Sequence, residues 1–246
     1  PLSVAGDLEN GMQFPQQLAL AATRDSTLAY EYGRWTAIEG RKRGFTWTFA
    51  PVADLALNWL NSVITIRSLG SNPELAAERL SQIVRGMQDY GLSATAKHFP
   101  GDGVDLHDQH LGISINSLSR KSWMRTFGKV YRRLFSQSVD VDAIMTGHIL
   151  LPFVEPPTVL RSTPLPATLS PKISRVFLRE ELAFKGVLVT DALIMNGFMI
   201  PRIEGNRFVE AFKAGADILL WPDLDYFEAM EKALDNGSVS EKMLDD

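Results

Sequence analysis

One stretch of this chain concentrates side chains that can move protons. Lys97-His98-Phe99-Pro100-Gly101-Asp102-Gly103-Val104-Asp105-Leu106-His107-Asp108-Gln109-His110 holds three of the four histidines, three aspartates and a lysine. An ordinary polar surface loop rarely gathers so much histidine, and loops set on a rigid scaffold carry function disproportionately. Asp108 and His110 are two residues apart, so in extended backbone their side chains point the same way. A carboxylate in that position can bond one imidazole nitrogen, fix the tautomer and raise the histidine pKa. That is the wiring of a general acid–base. A metal reading uses the same loop, with His98, His107, His110 and aspartates as ligands, although no HxH or HExxH spacing is present.

A second segment, Gly186-Val187-Leu188-Val189-Thr190-Asp191-Ala192-Leu193, ends an apolar run on a carboxylate. Such an aspartate can be a simple loop or helix cap. If buried, it needs a partner, and Lys97 or Arg67 from other strand ends could serve. A cationic partner would keep Asp191 ionised, as a nucleophile requires.

These residues need a scaffold, and two alternating periodicities supply one. Short apolar runs read as strands at Leu2–Gly6, Phe45–Ala50, Ser93–Lys97, Ala143–Thr146, Gly186–Thr190 and Ala216–Trp221. Most are continuously apolar, as strands covered on both faces should be. Between them lie helical stretches: Pro15–Gly33 or longer, one starting at Asn72-Pro73-Glu74, Ser119–Gln137, Ser170-Pro171 to about Ala183, Gly205–Ala214 and Tyr226–Asn236. Asn72 and Ser170 precede prolines as N-caps do, and Gly91, Gly215 and Gly237 stand where C-caps are expected.

Strict alternation implies one α/β domain over 1–246 with a parallel sheet. Every candidate strand ends in polar or ionisable residues: Asp7 and Glu9, Asp54, Lys97 and His98, His148, Asp191, Asp223. In a closed (β/α)8 TIM-type barrel these ends converge on one face. An open doubly wound sheet would need them only at a switch point, and no complete GxGxxG or GxxxxGK[ST] is present. The expectation is therefore a barrel. Six units are two short of eight, which places two strands upstream of Pro1 or elsewhere.

Composition narrows the function. The 246 residues are 45% hydrophobic and 22% charged, as in a globular domain. A net charge of -4 argues against nucleic acid as a partner. With Cys 0, disulfides, zinc–thiolate sites and thiol nucleophiles are excluded. No apolar run approaches a membrane span. The chain starts at Pro1 without a signal-like segment and reads as starting inside a longer product, which leaves the compartment open with the cytoplasm favoured. Oligomeric state is not readable. Trp35, Trp47, Trp59 and Trp123 read as packing residues, and Trp221, at a strand end, is the best exception.

Taken together, Lys97-His98-Phe99-Pro100-Gly101 leading to Asp108-Gln109-His110, and Thr190-Asp191-Ala192-Leu193 downstream, resemble glycoside hydrolase family 3. The branch of β-N-acetylglucosaminidases, with its KHFPGHG…D-S-H loop, is the most similar. Asp7-x-Glu9, Phe49-Ala50-Pro51-Val52-Ala53-Asp54 and Ile66-Arg67-Ser68-Leu69-Gly70 match further family segments in order. The resemblance implies Asp191 as nucleophile and His110 as acid/base with Asp108 as its partner. It implies Asp7, Arg67, Lys97 and His98 as residues that hold the sugar, and places His148 near a family histidine at the next strand end. It implies retaining hydrolysis of an oligosaccharide without cofactor or metal, and a barrel with two strands before the segment at Leu2–Glu9. β-Glucosidase activity and phosphorolysis are variants inside the family; a metal-dependent barrel hydrolase and a non-catalytic sugar-binding relative are the other readings. The chain departs from the pattern at Asn10 (usually glycine), Asp102 (the second histidine of KHFPGHG), Gln109 (serine) and the stretch Met195–Glu204.

Overall fold

A computed structural model of the chain describes residues 14–158 and 164–245. The candidate strand Leu2–Gly6, together with Asp7, Glu9 and Asn10, lies outside the described residues. In chain order the strands are β1 (Thr95–Phe99), β2 (Ser114–Ile115), β3 (Ala143–Thr146), β4 (Ile149–Leu150) and β5 (Val187–Thr190). The helices are α1 (Gln17–Ala22), α2 (Ser26–Lys42), α3 (Pro73–Gln88), α4 (Arg120–Arg125), α5 (Phe127–Leu134), α6 (Asn196–Met199), α7 (Arg207–Lys213), α8 (Asp225–Asp235) and α9 (Lys242–Asp245), with a π-helix at Lys172–Glu181.

The helix starts obey local chemistry. Asn72 accepts the amides of Glu74 and Leu75 at 3.0 and 3.1 Å, and Pro73 fills the first helical position of α3. Gly91, Gly215 and Gly237 have φ of 76°, 111° and 73° just past their helices, a left-handed turn that glycine enters freely. Two expected single helices are each broken in two. Pro15–Gly33 divides at Arg24, with φ 57°, because Asp25 begins a new cap on Thr27. Ser119–Gln137 divides at Thr126, whose φ and ψ of -110° and -96° are not helical.

β1, β3 and β5 form a parallel sheet in the order β1-β3-β5. Thr95 pairs with Ala143 and Ala143 with Val187, so the strand starts are aligned. β2 and β4 form a separate parallel pair beyond the C-terminal ends of β1 and β3. The outer flanks join more sparsely. Trp47 bridges Ser93 and Val52 bridges Lys97 on one side, and Ile218 bridges Val189 on the other.

Among the described residues the sheet does not close, so the expected eight-stranded ring is not observed; what stands is an α/β fold with parallel strands. The sparse flanks have local causes. Pro51 has no amide to donate to a ladder. The Asp217 carboxylate accepts the Leu188 amide at 2.6 Å, a bond to a side chain instead of a ladder carbonyl.

The core packs behind β1. Phe99, Trp123, Phe127, Tyr131 and Phe177 are all buried and their rings interlock at centroid distances of 4.9–6.5 Å. Trp123 Nε1 donates to the Pro100 carbonyl at 2.8 Å. The far end of β1 is thus pinned to a rigid aromatic block where the histidine-rich loop begins.

Candidate active site

Asp191 follows the last residue of β5, and its amide donates to Thr146 O of β3 at 2.8 Å. Its Oδ1 accepts the Ala192 amide at 2.8 Å, and its Oδ2 lies 3.7 Å from His98 Nε2. Burial pushes this carboxyl up, but His98, His148, the Ala192 amide and Lys97 together outweigh it and hold the pKa below the usual value. The ring nearest to Asp191 is therefore His98, and Lys97, one of the two partners the sequence pointed to, also acts on it.

His98 is oriented from the far side by Asp54, a residue to which the sequence assigned no role. Asp54 Oδ2 lies 2.7 Å from His98 Nδ1, and its Oδ1 accepts the His98 amide at 3.1 Å. An ionised carboxylate can only accept, so Nδ1 carries the proton and Nε2 faces Asp191. The sequence signals for Asp54 were a carboxylate ending an apolar run and its place at the end of a family-like segment, neither of which gave it a role.

Lys97 also faces Asp191. Burial pushes its ammonium pKa down, Asp191 and Asp54 pull it back up, and Arg67 adds to the lowering. Arg67 in turn acts on Asp108. One run of charges thus joins Asp191, Lys97, Arg67 and Asp108.

His148 occupies a different setting. Its Nε2 lies 3.0 Å from the Ala192 carbonyl and its Nδ1 2.9 Å from Thr168 Oγ1. The carbonyl can only accept, so Nε2 carries the proton and Nδ1 accepts from the threonine hydroxyl. Burial pushes this histidine's pKa down, which suits a neutral ring. Both nitrogens are spoken for, and the side chain holds the residue after Asp191.

His110 Nδ1 lies 2.5 Å from Asp108 Oδ1, which also accepts the His110 amide at 2.9 Å. The expected contact is present, but its backbone is a turn: Leu111 and Gly112 both donate to Asp108 O at 2.9 Å. Burial pushes the Asp108 carboxyl up, but the His110 amide and ring prevail and lower it. The His110 ring is exposed and makes no ion pair with Asp191. Its backbone is fixed to the segment after Asp191, since the amides of Asn196 and Gly197 donate to the carbonyls of His110 and Gln109 at 3.2 and 3.0 Å.

His107 repeats the pattern with Asp105 at 3.0 Å. Each loop histidine therefore has its own aspartate, and among the described residues no three His, Asp or Glu side chains converge as metal ligands. Asp7 cannot be located, lying outside the described residues. Among the tryptophans, Trp123 is core, whereas Trp59 is 79% and Trp221 57% exposed, so Trp59 departs from its expected packing role. Among the described residues no helix is long and apolar enough to cross a membrane.

The arrangement offers an ionised carboxylate at a strand end, cations beside it and an imidazole–carboxylate pair on the adjoining loop. That set suits nucleophilic displacement with acid–base assistance. Comparison with known proteins identifies the chain's relatives. The β-N-acetylglucosaminidase/β-glucosidase of Cellulomonas fimi is 34% identical over 100% of this chain and 46% of its own length. The solved structure of a glycoside hydrolase family 3 β-N-acetylglucosaminidase from Paenibacillus sp. is 37% identical, with a TM-score of 0.89 over 99% of this chain and 46% of that one. A solved β-glucoside phosphorylase is 31% identical, with a TM-score of 0.92 over 99% and 45%. This chain thus spans about half the length of these relatives. The family model for the glycosyl hydrolase family 3 N-terminal domain matches residues 1–246, and the chain belongs to that family.

Proposed function

We propose that this chain is the catalytic domain of a retaining glycoside hydrolase that removes terminal β-linked N-acetylglucosamine from peptidoglycan fragments or chitin-type oligosaccharides. The observation that carries this reading is Asp191: a carboxylate at the end of β5, fixed by the Ala192 amide at 2.8 Å and facing His98 at 3.7 Å, with Lys97 also acting on it. Asp191 attacks the anomeric carbon and forms the glycosyl-enzyme while His110 protonates the leaving oxygen. His110, again basic, then activates the water that releases the sugar. Asp108 orients the imidazole, and Arg67, Lys97, His98 and Asp7 align the sugar hydroxyls. The substrate reading leans on the relatives named as β-N-acetylglucosaminidases. The parallel segments ending in site residues support a (β/α)8 barrel as the complete architecture of this single domain.

The test is a panel of aryl β-glycosides (N-acetylglucosaminide, glucoside, xyloside) on the intact gene product. The N-acetylglucosaminide should be turned over fastest, and Asp191→Asn should lower kcat by on the order of 10⁴-fold or more. Wild-type-like turnover by Asp191→Asn would refute the assignment.

Phosphorolysis is a second reading. An imidazole acid/base carries no negative charge to repel phosphate, Arg67 and Lys97 flank the site, and one structural relative is named a phosphorylase. Rates compared with and without inorganic phosphate separate the two.

A further inference from the structure

His110 is exposed at a turn, yet its neighbour Gln109 is only 1% exposed. Consecutive side chains at this turn point opposite ways, the imidazole outward and the amide inward. The amide enters a polar seat. Gln109 Nε2 donates to Asp102 Oδ2 at 3.2 Å, and Gln109 Oε1 accepts the His148 amide at 2.8 Å. The main chain on either side is bare enough to admit it. A Cβ on Gly147 would meet Gln109 Oε1 at 2.9 Å, and one on Gly197 would meet Gln109 O and His148 Cβ at 2.8 Å. At Gly197 the atoms met include backbone carbonyls, so the close approach requires glycine there.

The seat connects to both sides of Asp191. On one side, the Asp102 amide donates to Asp54 Oδ1 at 2.7 Å, and Asp54 holds His98, which faces Asp191. On the other, His148 bonds the Ala192 carbonyl, and the Ala192 amide bonds Asp191. The contacts form a closed ring that starts and ends on Asp191. Gln109 is the link between its two arms and the one member adjacent in sequence to His110. Asp102 is itself tied down, its Oδ1 accepting from the Gly103 amide at 2.6 Å and Asn61 Nδ2 at 3.2 Å. A buried network with every member bonded specifies one arrangement.

We propose that Gln109, seated on Asp102 and the His148 amide, is a positioning residue that fixes the His110–Asp108 pair relative to Asp191. Glutamine suits the task because one side chain must both donate and accept across the gap between the two strand ends. Serine, which the family pattern has here, is too short to span it. The inference rests on the functional reading above for its kinetic consequence, but not for its structural one.

The experiment compares Gln109→Ala and Gly197→Ala with wild type on phenyl and 2,4-dinitrophenyl β-N-acetylglucosaminides. The first leaving group needs a proton and the second does not, and kcat/KM reports the glycosylation step. Both variants should lose about ten-fold or more on the phenyl substrate and less than about two-fold on the dinitrophenyl one, as misplacement of a general acid requires. Equal losses on both substrates, or none, overturn the proposal. Amide hydrogen exchange supplies a readout independent of activity. Gln109→Ala should speed exchange over 103–112 and 195–198 and leave α3 and the strands unchanged. Unaltered exchange overturns the proposal even if kinetics shift. Should wild type turn over neither substrate, the functional reading fails, and exchange alone decides whether Gln109 is the seat.

Discussion

Two Asp-x-His pairs stand three residues apart on the same loop, and they differ in what their carboxylates hold. Asp108 gives one oxygen to both the amide and the ring of His110. Asp105 divides its carboxylate between the Ser114 hydroxyl at 2.9 Å, the Ile115 amide at 2.7 Å and the His107 ring. Ser114 and Ile115 form β2, so Asp105 is chiefly a latch that fastens the loop to the β2–β4 pair. Asp108 has no such duty. The backbone beside His110 is bonded to the segment after Asp191, and Arg67 acts on Asp108. An identical local pattern therefore yields a structural pair and a pair free for chemistry, and only the surroundings tell them apart.

The largest expected effect breaks that comparison at the histidines. His110→Ala should lower kcat/KM on a phenyl N-acetylglucosaminide by on the order of 10²- to 10⁴-fold, the range of general acid–base assistance. His107→Ala should change it by less than about two-fold, as a surface substitution away from the reacting atoms does. Initial rates on purified variants measure both. A large loss in His107→Ala with an intact His110→Ala would move the acid/base role to the other pair.

This contrast also marks how far sequence reasoning reaches. β3 was legible to its last residue, Ala143–Thr146, because a short apolar run bounded by polar residues has few other uses. The caps of α3 were legible because their contacts span two or three residues. The breaks at Arg24 and Thr126 were not, although the first has a local cause in the cap of Asp25 on Thr27. At the site, the Asp108–His110 contact was legible because its partners are two residues apart. Of the partners that charge signs nominated for Asp191, Lys97 does act on it, but His98, delivered by strand register, acts more strongly. Asp54 reaches His98 across 44 residues and Gln109 reaches His148 across 39, and no local pattern encodes bonds of that range.

A smaller effect separates the two aspartates. Asp105→Ala removes a charge-assisted acceptor from the Ile115 amide and the buried Ser114 hydroxyl, at a cost of about 1–3 kcal/mol. At about 2–4 °C per kcal/mol for a chain of this size, thermal unfolding should shift by several degrees. Turnover per folded molecule should hold. Asp108→Ala should do the reverse, with little change in melting and a clear loss on poor leaving groups. Equal melting shifts in the two variants would erase the distinction between the latch and the proposed catalytic pair.

The smallest effect is in the pH dependence of stability, where Asp108 and Asp102 should have opposite signs. Asp108 is held below its usual pKa, so its contribution is present above the unfolded value and fades as pH falls through the lower folded one. Asp102 is pushed up to about 6, first by burial and then by Asp54, against the pull of His98 and the Gly103 amide and with Asp105 adding to the rise. The folded chain therefore holds a proton there that the unfolded chain has released. Stability from this group is full below the unfolded value of about 3.9 and is lost as pH rises through about 6. Urea midpoints between pH 4 and 7 should fall less steeply in Asp102→Asn than in wild type, while Asp108→Asn should flatten only the limb below about pH 4. The Asp108 change is the fainter of the two, because its carboxylate is partly exposed and water screens it. An unchanged slope in Asp102→Asn would show that this carboxyl titrates alike in the folded and unfolded chains. Gln109 would then donate to a carboxylate already ionised over most of that range, and the contact would be insensitive to pH.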